Sequence, residues 1–160
     1  MFRLRWLPVL LVLFALFPTA TPAFVAAPDI TGRYRSERSG MIVAIGSCDS
    51  GRMCGRIVGL GDLPPTDANN PTQELRVRPL CGLAVIDGLE WQNGSWRGTL
   101  YEPQTGTNYA ISVAPVQNGA VRVTGYSGRP VLSRTLVRPF EIWERAQPGA
   151  ARCAPATVIS

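Results

Sequence analysis

Two Asn-Gly dipeptides, Asn93-Gly94 and Asn118-Gly119, each stand between runs that alternate apolar and polar residues. Asn-Gly supplies the two positive-φ positions of the tight turn whose twist matches a pair of antiparallel strands, so each dipeptide asks for a β-hairpin. Before the first lies an apolar run at residues 80–89. After it, Trp96, Gly98 and Leu100 alternate with Arg97, Thr99 and Tyr101. Before the second, Tyr109, Ile111 and Val113 share one face of residues 107–114, and residues 121–126 answer with the same period of two. The turn-forming stretch Glu102-Pro103-Gln104-Thr105-Gly106 joins the two hairpins into a meander.

The rest of the chain extends that pattern. Residues 31–35, 41–47 and 53–60 read as three earlier strands, and residues 140–145 as a last one. No helical period is sustained anywhere. About eight short strands in sequence-adjacent hairpins specify an all-β antiparallel sheet. Such a sheet has to hide its edges, and closing on itself does so, which predicts a small up-and-down barrel. A β-sandwich is the alternative.

The amino terminus reads separately. Arg3 and Arg5 precede an apolar stretch at residues 7–17, and Thr21-Pro22-Ala23 offers the small residues of a cleavage site. This is the layout of a secretory signal peptide over residues 1–23, with cleavage as late as residue 27. Pro18, Pro22 and Pro28 interrupt the apolar run, which falls short of the roughly 20 residues needed to span a bilayer, so no stable membrane insertion is expected after cleavage. A single barrel domain over residues 28–146 and a tail over residues 147–160 follow.

Export makes the four cysteines, Cys48, Cys54, Cys81 and Cys153, candidates for disulfides. Three connectivities are open. The turn chemistry of Asp49-Ser50-Gly51 favours Cys48 with Cys54, leaving Cys81 to tether the tail through Cys153. A four-thiolate zinc site is the rival, but the paired two-residue spacings of such sites are missing. A redox pair would also want two intervening residues, where Cys48 and Cys54 enclose five.

All 16 basic residues are arginine, and there is no histidine. That excludes Ser-His-Asp and Cys-His catalysis and lysine nucleophiles, and it removes the commonest metal ligand. Carboxylate chemistry is what remains, and no catalytic constellation, metal site or cofactor motif is legible. The net charge of +5 falls to +3 once Arg3 and Arg5 are set aside, and export argues against nucleic acid as a partner.

Several blocks together resemble the bacterial domain-of-unknown-function family 2147. They are Gly32-x-Tyr34, Met53-Cys54-Gly55-x-Ile57-Val58, Asn69-Asn70-Pro71, Leu75-Arg76-x-Arg78-Pro79-Leu80-x-Gly82-Leu83 and Trp96-x-Gly98-x-x-Tyr101-x-Pro103-x-x-Gly106-x-x-Tyr109. Val123-x-Gly125-Tyr126 and Trp143-x-Arg145 close the series. The resemblance spans residues 32–145 and implies an exported protein of a Gram-negative bacterium, periplasmic or secreted. Tyr34 stands where the family has Trp, and residues 136–140 look like extra sequence, which leaves the register of the last strand open. A weaker analogy is to lipocalin-like, or calycin-like, barrels, which also begin with Gly-x-Trp and end with an arginine on that ring. Tyr34 and Arg145 would form that closure here, a cation–π contact of about 0.5–2 kcal/mol.

The polar stretch at residues 61–79 is the most informative candidate site. Nearly twenty residues without regular structure are uncommon in a small domain and often functional. Asp67, Asn69, Asn70, Arg76 and Arg78 gather there, and the guanidinium forks suit an anionic ligand. The plainer reading is a set of side-chain turns with arginine–carboxylate pairs. Tyr101, Tyr109, Tyr126 and Trp143 would line a ligand pocket if the barrel is open, or fill it if it is not. Three functions follow. The first is a binding module for a small apolar or anionic ligand, and the second is contact with, or inhibition of, an envelope protein. The third is a carboxylate-dependent hydrolase pairing Glu102 with Asp67 or Glu90.

Overall fold

A computed structural model describes residues 26–127, 136–137, 141–150 and 153. The expected signal peptide and most of the expected tail lie outside these residues. Among the described residues there are nine strands: β1 (Gly32–Arg35), β2 (Ile42–Ser47), β3 (Met53–Gly59), β4 (Ala84–Gln92), β5 (Ser95–Glu102), β6 (Thr107–Pro115), β7 (Val121–Ser127), β8 (Leu136–Val137) and β9 (Glu141–Arg145). Each of β1 to β7 pairs antiparallel with the next, and β9 then pairs with both β7 and β1, closing the sheet. β8 pairs with the far end of β7 at Tyr126↔Val137, so β8 and β9 share one edge of β7. The result is a closed eight-stranded antiparallel barrel, and the sandwich alternative is not needed.

The turns explain the register. Asn93 and Gly94 have φ of 50° and 80°, and Asn118 and Gly119 have 62° and 72°, the two positive values the hairpins require. Ser50 and Gly51, at 58° and 75°, turn the chain between β2 and β3 in the same way. Trp143 opposite Val121 and Arg145 opposite Tyr34 fix the register of the last strand, which the sequence left open.

Because strands alternate in direction, one barrel end carries the three short turns at residues 48–52, 93–94 and 116–120. That end is stoppered. Ile30 is fully buried, the Tyr34 hydroxyl donates to its carbonyl at 3.1 Å, and the Trp96 indole donates to the Pro28 carbonyl at 3.0 Å. The Arg145 guanidinium lies 5.3 Å from the centre of the Tyr34 ring, the closure expected from the lipocalin analogy, and its Nε donates to the Gly119 carbonyl. Above the stopper, inward residues Val43, Ile57, Ile86, Leu89, Val113 and Trp143 fill the barrel and are all buried. A Cβ on Gly55 would meet Val43 and Ile86 at about 3 Å, so the middle has no room left.

Cys48 is bonded to Cys54 across the β2–β3 turn, and Cys81 to Cys153 over a separation of 72 residues. All four thiols are thereby used, which leaves none to hold a metal. The Cys153 N–H donates to the Val58 carbonyl at 2.8 Å, so this point of the tail is stitched onto β3.

Candidate functional site

The opposite end of the barrel carries the turn at residues 36–41, the long segment at residues 60–83 and the turn at residues 103–106. The long segment is ordered by its own hydrogen bonds: Asp67 N–H donates to the Arg78 carbonyl, Leu80 N–H to the Pro65 carbonyl, and Thr66 bridges Pro79. Two close approaches seat it on the rim. A side chain on Gly61, at φ +58°, would collide with the backbone of Ser39 and Gly40, and one on Gly106, at φ +64°, would overlap the Asn69 carbonyl.

Asp67 lies at the centre of this segment and is fully buried. Its Oδ1 accepts from the Tyr101 hydroxyl at 2.6 Å. Its Oδ2 accepts from Asn70 Nδ2 at 2.7 Å and from Arg78 Nε and Nη2 at 2.9 and 2.7 Å. Asn70 Nδ2 also donates to the Tyr101 hydroxyl, and Arg78 sits 5.4 Å from the centre of the Tyr101 ring. Burial pushes the Asp67 carboxyl up, but the hydrogen bonds from Tyr101, Asn70 and Arg78, with the Arg78 charge, outweigh it and hold the group below the usual carboxylate value. Burial and the Asp67 carboxylate push the Tyr101 phenol up. Asn69 donates to the Gln104 carbonyl at 2.9 Å, and Arg76 Nε to the Asn70 carbonyl at 2.8 Å.

Asp67, Asn70, Arg78 and Tyr101 thus form one latch, with Asn69 and Arg76 bracing it. Arg78 is committed to Asp67, so the anion-reading fork expected from the sequence is already occupied by an internal carboxylate.

Beside the latch is a shallow mouth. Two small cavities, about 30 and 60 Å³, share Arg38, Leu100, Glu102, Glu141 and Trp143 as walls. Ser36, Ser39, Met41, Leu63, Tyr101, Pro103 and Gln104 complete the first; Tyr109, Ile111, Val123 and Gly125 complete the second. Strand alternation aims Leu100 and Glu102 of β5, Tyr109 and Ile111 of β6, Val123 and Gly125 of β7 and Glu141 and Trp143 of β9 inward, while Arg38, Met41 and Leu63 reach in from the rim loops. Glu141 Oε1 accepts from the Ser36 hydroxyl at 2.6 Å and from Arg38 N–H at 2.7 Å. Arg38 Nη1 lies 3.8 Å from Glu102 Oε1, and Glu102 Oε2 accepts from the Thr105 hydroxyl at 3.0 Å. Trp143 is only 2% exposed, and its indole N–H is the one buried side-chain polar atom without a hydrogen-bond partner among the described residues. Leaving such a donor unpaired costs about 1–3 kcal/mol.

The residues singled out in the sequence therefore divide between two neighbouring features, with one outlier. Tyr109 and Trp143 wall the mouth. Tyr126 lies instead on the outer wall, opposite Ala110, where its hydroxyl meets the Ser112 hydroxyl at 3.0 Å. The expected carboxylate pairs do not assemble: Asp67 is enclosed by its donors, and Glu90 sits near the stoppered end of β4, away from Glu102. The groups not anticipated are Arg38, Leu100 and Glu141. Glu141 carried a signal, because it shares the inward face of its strand with Trp143 and Arg145. Two larger hollows, about 860 and 750 Å³, share Ile142, Glu144 and Arg145 and are open to solvent.

Comparison with known proteins bears on the fold. The sequence matches, over residues 32–145, the family described as uncharacterised protein conserved in bacteria, DUF2147. Among solved structures it is similar to protein HP1028 from the human pathogen Helicobacter pylori, whose description assigns that protein to the lipocalin family. The TM-score is 0.61 at 19% identity, over 76% of this chain and 85% of that one. No curated protein matches the sequence.

Proposed function

The chain belongs to that family of uncharacterised bacterial proteins, and from this premise we propose that its barrel is a small-ligand-binding module whose site is the latched mouth. The observation that carries the reading is that two small neighbouring cavities in an otherwise filled barrel share the apolar walls of Leu100 and Trp143 and the carboxylates of Glu102 and Glu141. Pockets that combine apolar walls with a few converging polar groups are the usual form of a ligand site. The small volume limits what enters to a compact molecule, or to the end of a longer one whose remainder stays outside. Two disulfides suit an oxidising compartment, and no helix among the described residues is long and apolar enough to cross a membrane. We place the protein in the periplasm or outside the cell.

The test is a screen of small neutral, cationic and anionic molecules by NMR against the purified protein. Binding should shift the signals of Leu100, Glu102, Tyr109, Glu141 and Trp143 while the stoppered end stays unmoved. Leu100→Phe places a larger side chain in both cavities and should weaken any hit at least about tenfold, with unfolding shifted by no more than the roughly 1–3 kcal/mol of an overpacked site. No hit at the mouth, or hits indifferent to Leu100→Phe, would refute the reading.

A second reading rests on one observation. Val77 is 78% exposed and Leu75 39% exposed, and Arg76 stands between them at the apex of the long segment. That combination suits contact with another envelope protein. Leu75→Ser with Val77→Ser should leave the midpoint of unfolding within about 0.5 kcal/mol while abolishing co-purification of a partner. An unchanged set of co-purifying proteins rejects it.

A further inference from the structure

Closure of the barrel sets Arg38 and Glu102 on opposite sides of the mouth. In the ring β1-β2-β3-β4-β5-β6-β7-β9, β5 lies four strands from β1 in either direction. Arg38 stands in the turn after β1 and Glu102 ends β5, yet Arg38 Nη1 lies 3.8 Å from Glu102 Oε1. The Arg38 side chain therefore reaches across the opening, and it walls both small cavities. Resting on the ligand-binding reading, we infer that this side chain is a bar over the mouth, held shut by Glu102, and that a guest enters when the bar swings aside.

The two ends of the bar are held unequally. At its base the Arg38 N–H donates to Glu141 Oε1 at 2.7 Å, and the Ser36 hydroxyl donates to the same oxygen at 2.6 Å, so the turn is fixed to β9. At its tip there is one long ion contact, made by a side chain that is 51% exposed. Contacts of that kind are weak and fade as salt screens them. Glu102 does not need Arg38 to keep its place, because its Oε2 accepts from the Thr105 hydroxyl. A fixed base, a weak tip and an acceptor that stays put are what a side-chain gate requires. Arg78 shows the contrast: two of its nitrogens bind the buried Asp67 carboxylate within 3 Å, and it is locked. While the bar is shut the mouth cannot take a guest, so the apparent affinity falls by the fraction of molecules standing open.

Xenon is the probe, an uncharged apolar atom that reports access without asking for a head group. Purified protein with 13C-labelled methyl groups is placed under rising xenon pressure at pH 7. The Leu100, Ile111 and Val123 signals are followed, with Ile30 at the stoppered end as reference. Arg38→Ala keeps the N–H that binds Glu141 and removes the bar, and should lower the half-saturating pressure about two- to fivefold, the range a weak ion pair allows. Glu102→Gln keeps the shape, releases the tip and should act similarly, and the double variant should gain nothing beyond Arg38→Ala. Raising sodium chloride from about 0.01 to 1 M should lower the parent's value in the same direction and leave that of Arg38→Ala unchanged. A half-saturation indifferent to Arg38→Ala and to salt would overturn the bar and leave the ligand site standing. An effect of Arg38→Ala that neither Glu102→Gln nor salt reproduces would overturn it too, since Arg38 would then only fill space. Xenon that moves none of the three mouth signals, in the parent or in Arg38→Ala, would remove the site itself, and the bar with it.

Discussion

A chain carrying Cys81→Ser and Cys153→Ser should lose about 4 kcal/mol of stability, the loop-entropy value for a ring closed over the 72-residue separation. For a domain of this size that lowers the thermal midpoint by roughly 10–20 °C. The bond acts mainly on the unfolded chain, where it ties the base of the long segment to a residue after the last strand. In the folded state Cys153 also packs against the core and donates its N–H to Val58. Cutting the Cys48–Cys54 bond with two serines should cost only about 2 kcal/mol, because that ring encloses five residues which Ser50 and Gly51 already turn. Urea unfolding of both double variants, at fixed pH and with the parent kept oxidised, measures the contrast. Equal losses, or a loss below about 1 kcal/mol for the long ring, would contradict the entropic account.

The contrast between barrel and site shows what the sequence made legible. Asn93-Gly94 and Asn118-Gly119 encode their hairpins locally, since two consecutive positive-φ residues admit few alternatives. Alternation then assigns faces, and Ile111, Val113, Val121 and Val123 do lie inward. Tyr126 follows the same rule: one step past Gly125, it faces out. Local rules blur the edges of strands. Residues 80–83 read from sequence as part of β4, but they belong to the end of the long segment, where Gly82 N–H and Leu83 C=O bond with Ile57. The bulge at Gly88, at φ +57°, has no sequence signature beyond the glycine itself.

The mouth is harder to see, for a different reason. Arg38, Leu100 and Glu141 come from three distant stretches, and only barrel closure brings β9 back beside β1 and β7. Asp67, Asn70, Arg76 and Arg78 stand out because they crowd one segment, yet crowding also lets such groups satisfy one another. That is how Arg78 is spent. A concentration of polar residues in one loop marks order as readily as it marks a ligand.

The latch yields the second large effect. Asp67→Asn keeps the shape but removes the charge that gathers Arg78, Asn70 and Tyr101, and it places an amide among those donors. Breaking a buried pair costs about 3–5 kcal/mol; because the Arg78 side chain is 32% exposed, about 2–3 kcal/mol is expected here. The loss should fall on the long segment before the barrel. Exchange of the Asp67, Asn70 and Leu80 amides, whose acceptors lie within it, should quicken by roughly 30–150-fold, and amides of β2 and β7 far less. The pH dependence follows from the depressed carboxyl. The group titrates below its unfolded value of 3.8, so its contribution is fully present above that value and is lost as pH falls through the lower folded value. Protection of the three amides, corrected for intrinsic exchange, should therefore hold from pH 7 to about 5 and collapse only below about 4. In Asp67→Asn it should be low and flat across that range. Collapse in the parent between pH 7 and 5, or an Asp67→Asn segment that exchanges as slowly as the parent, would show that the rim is held by its backbone contacts and not by the latch.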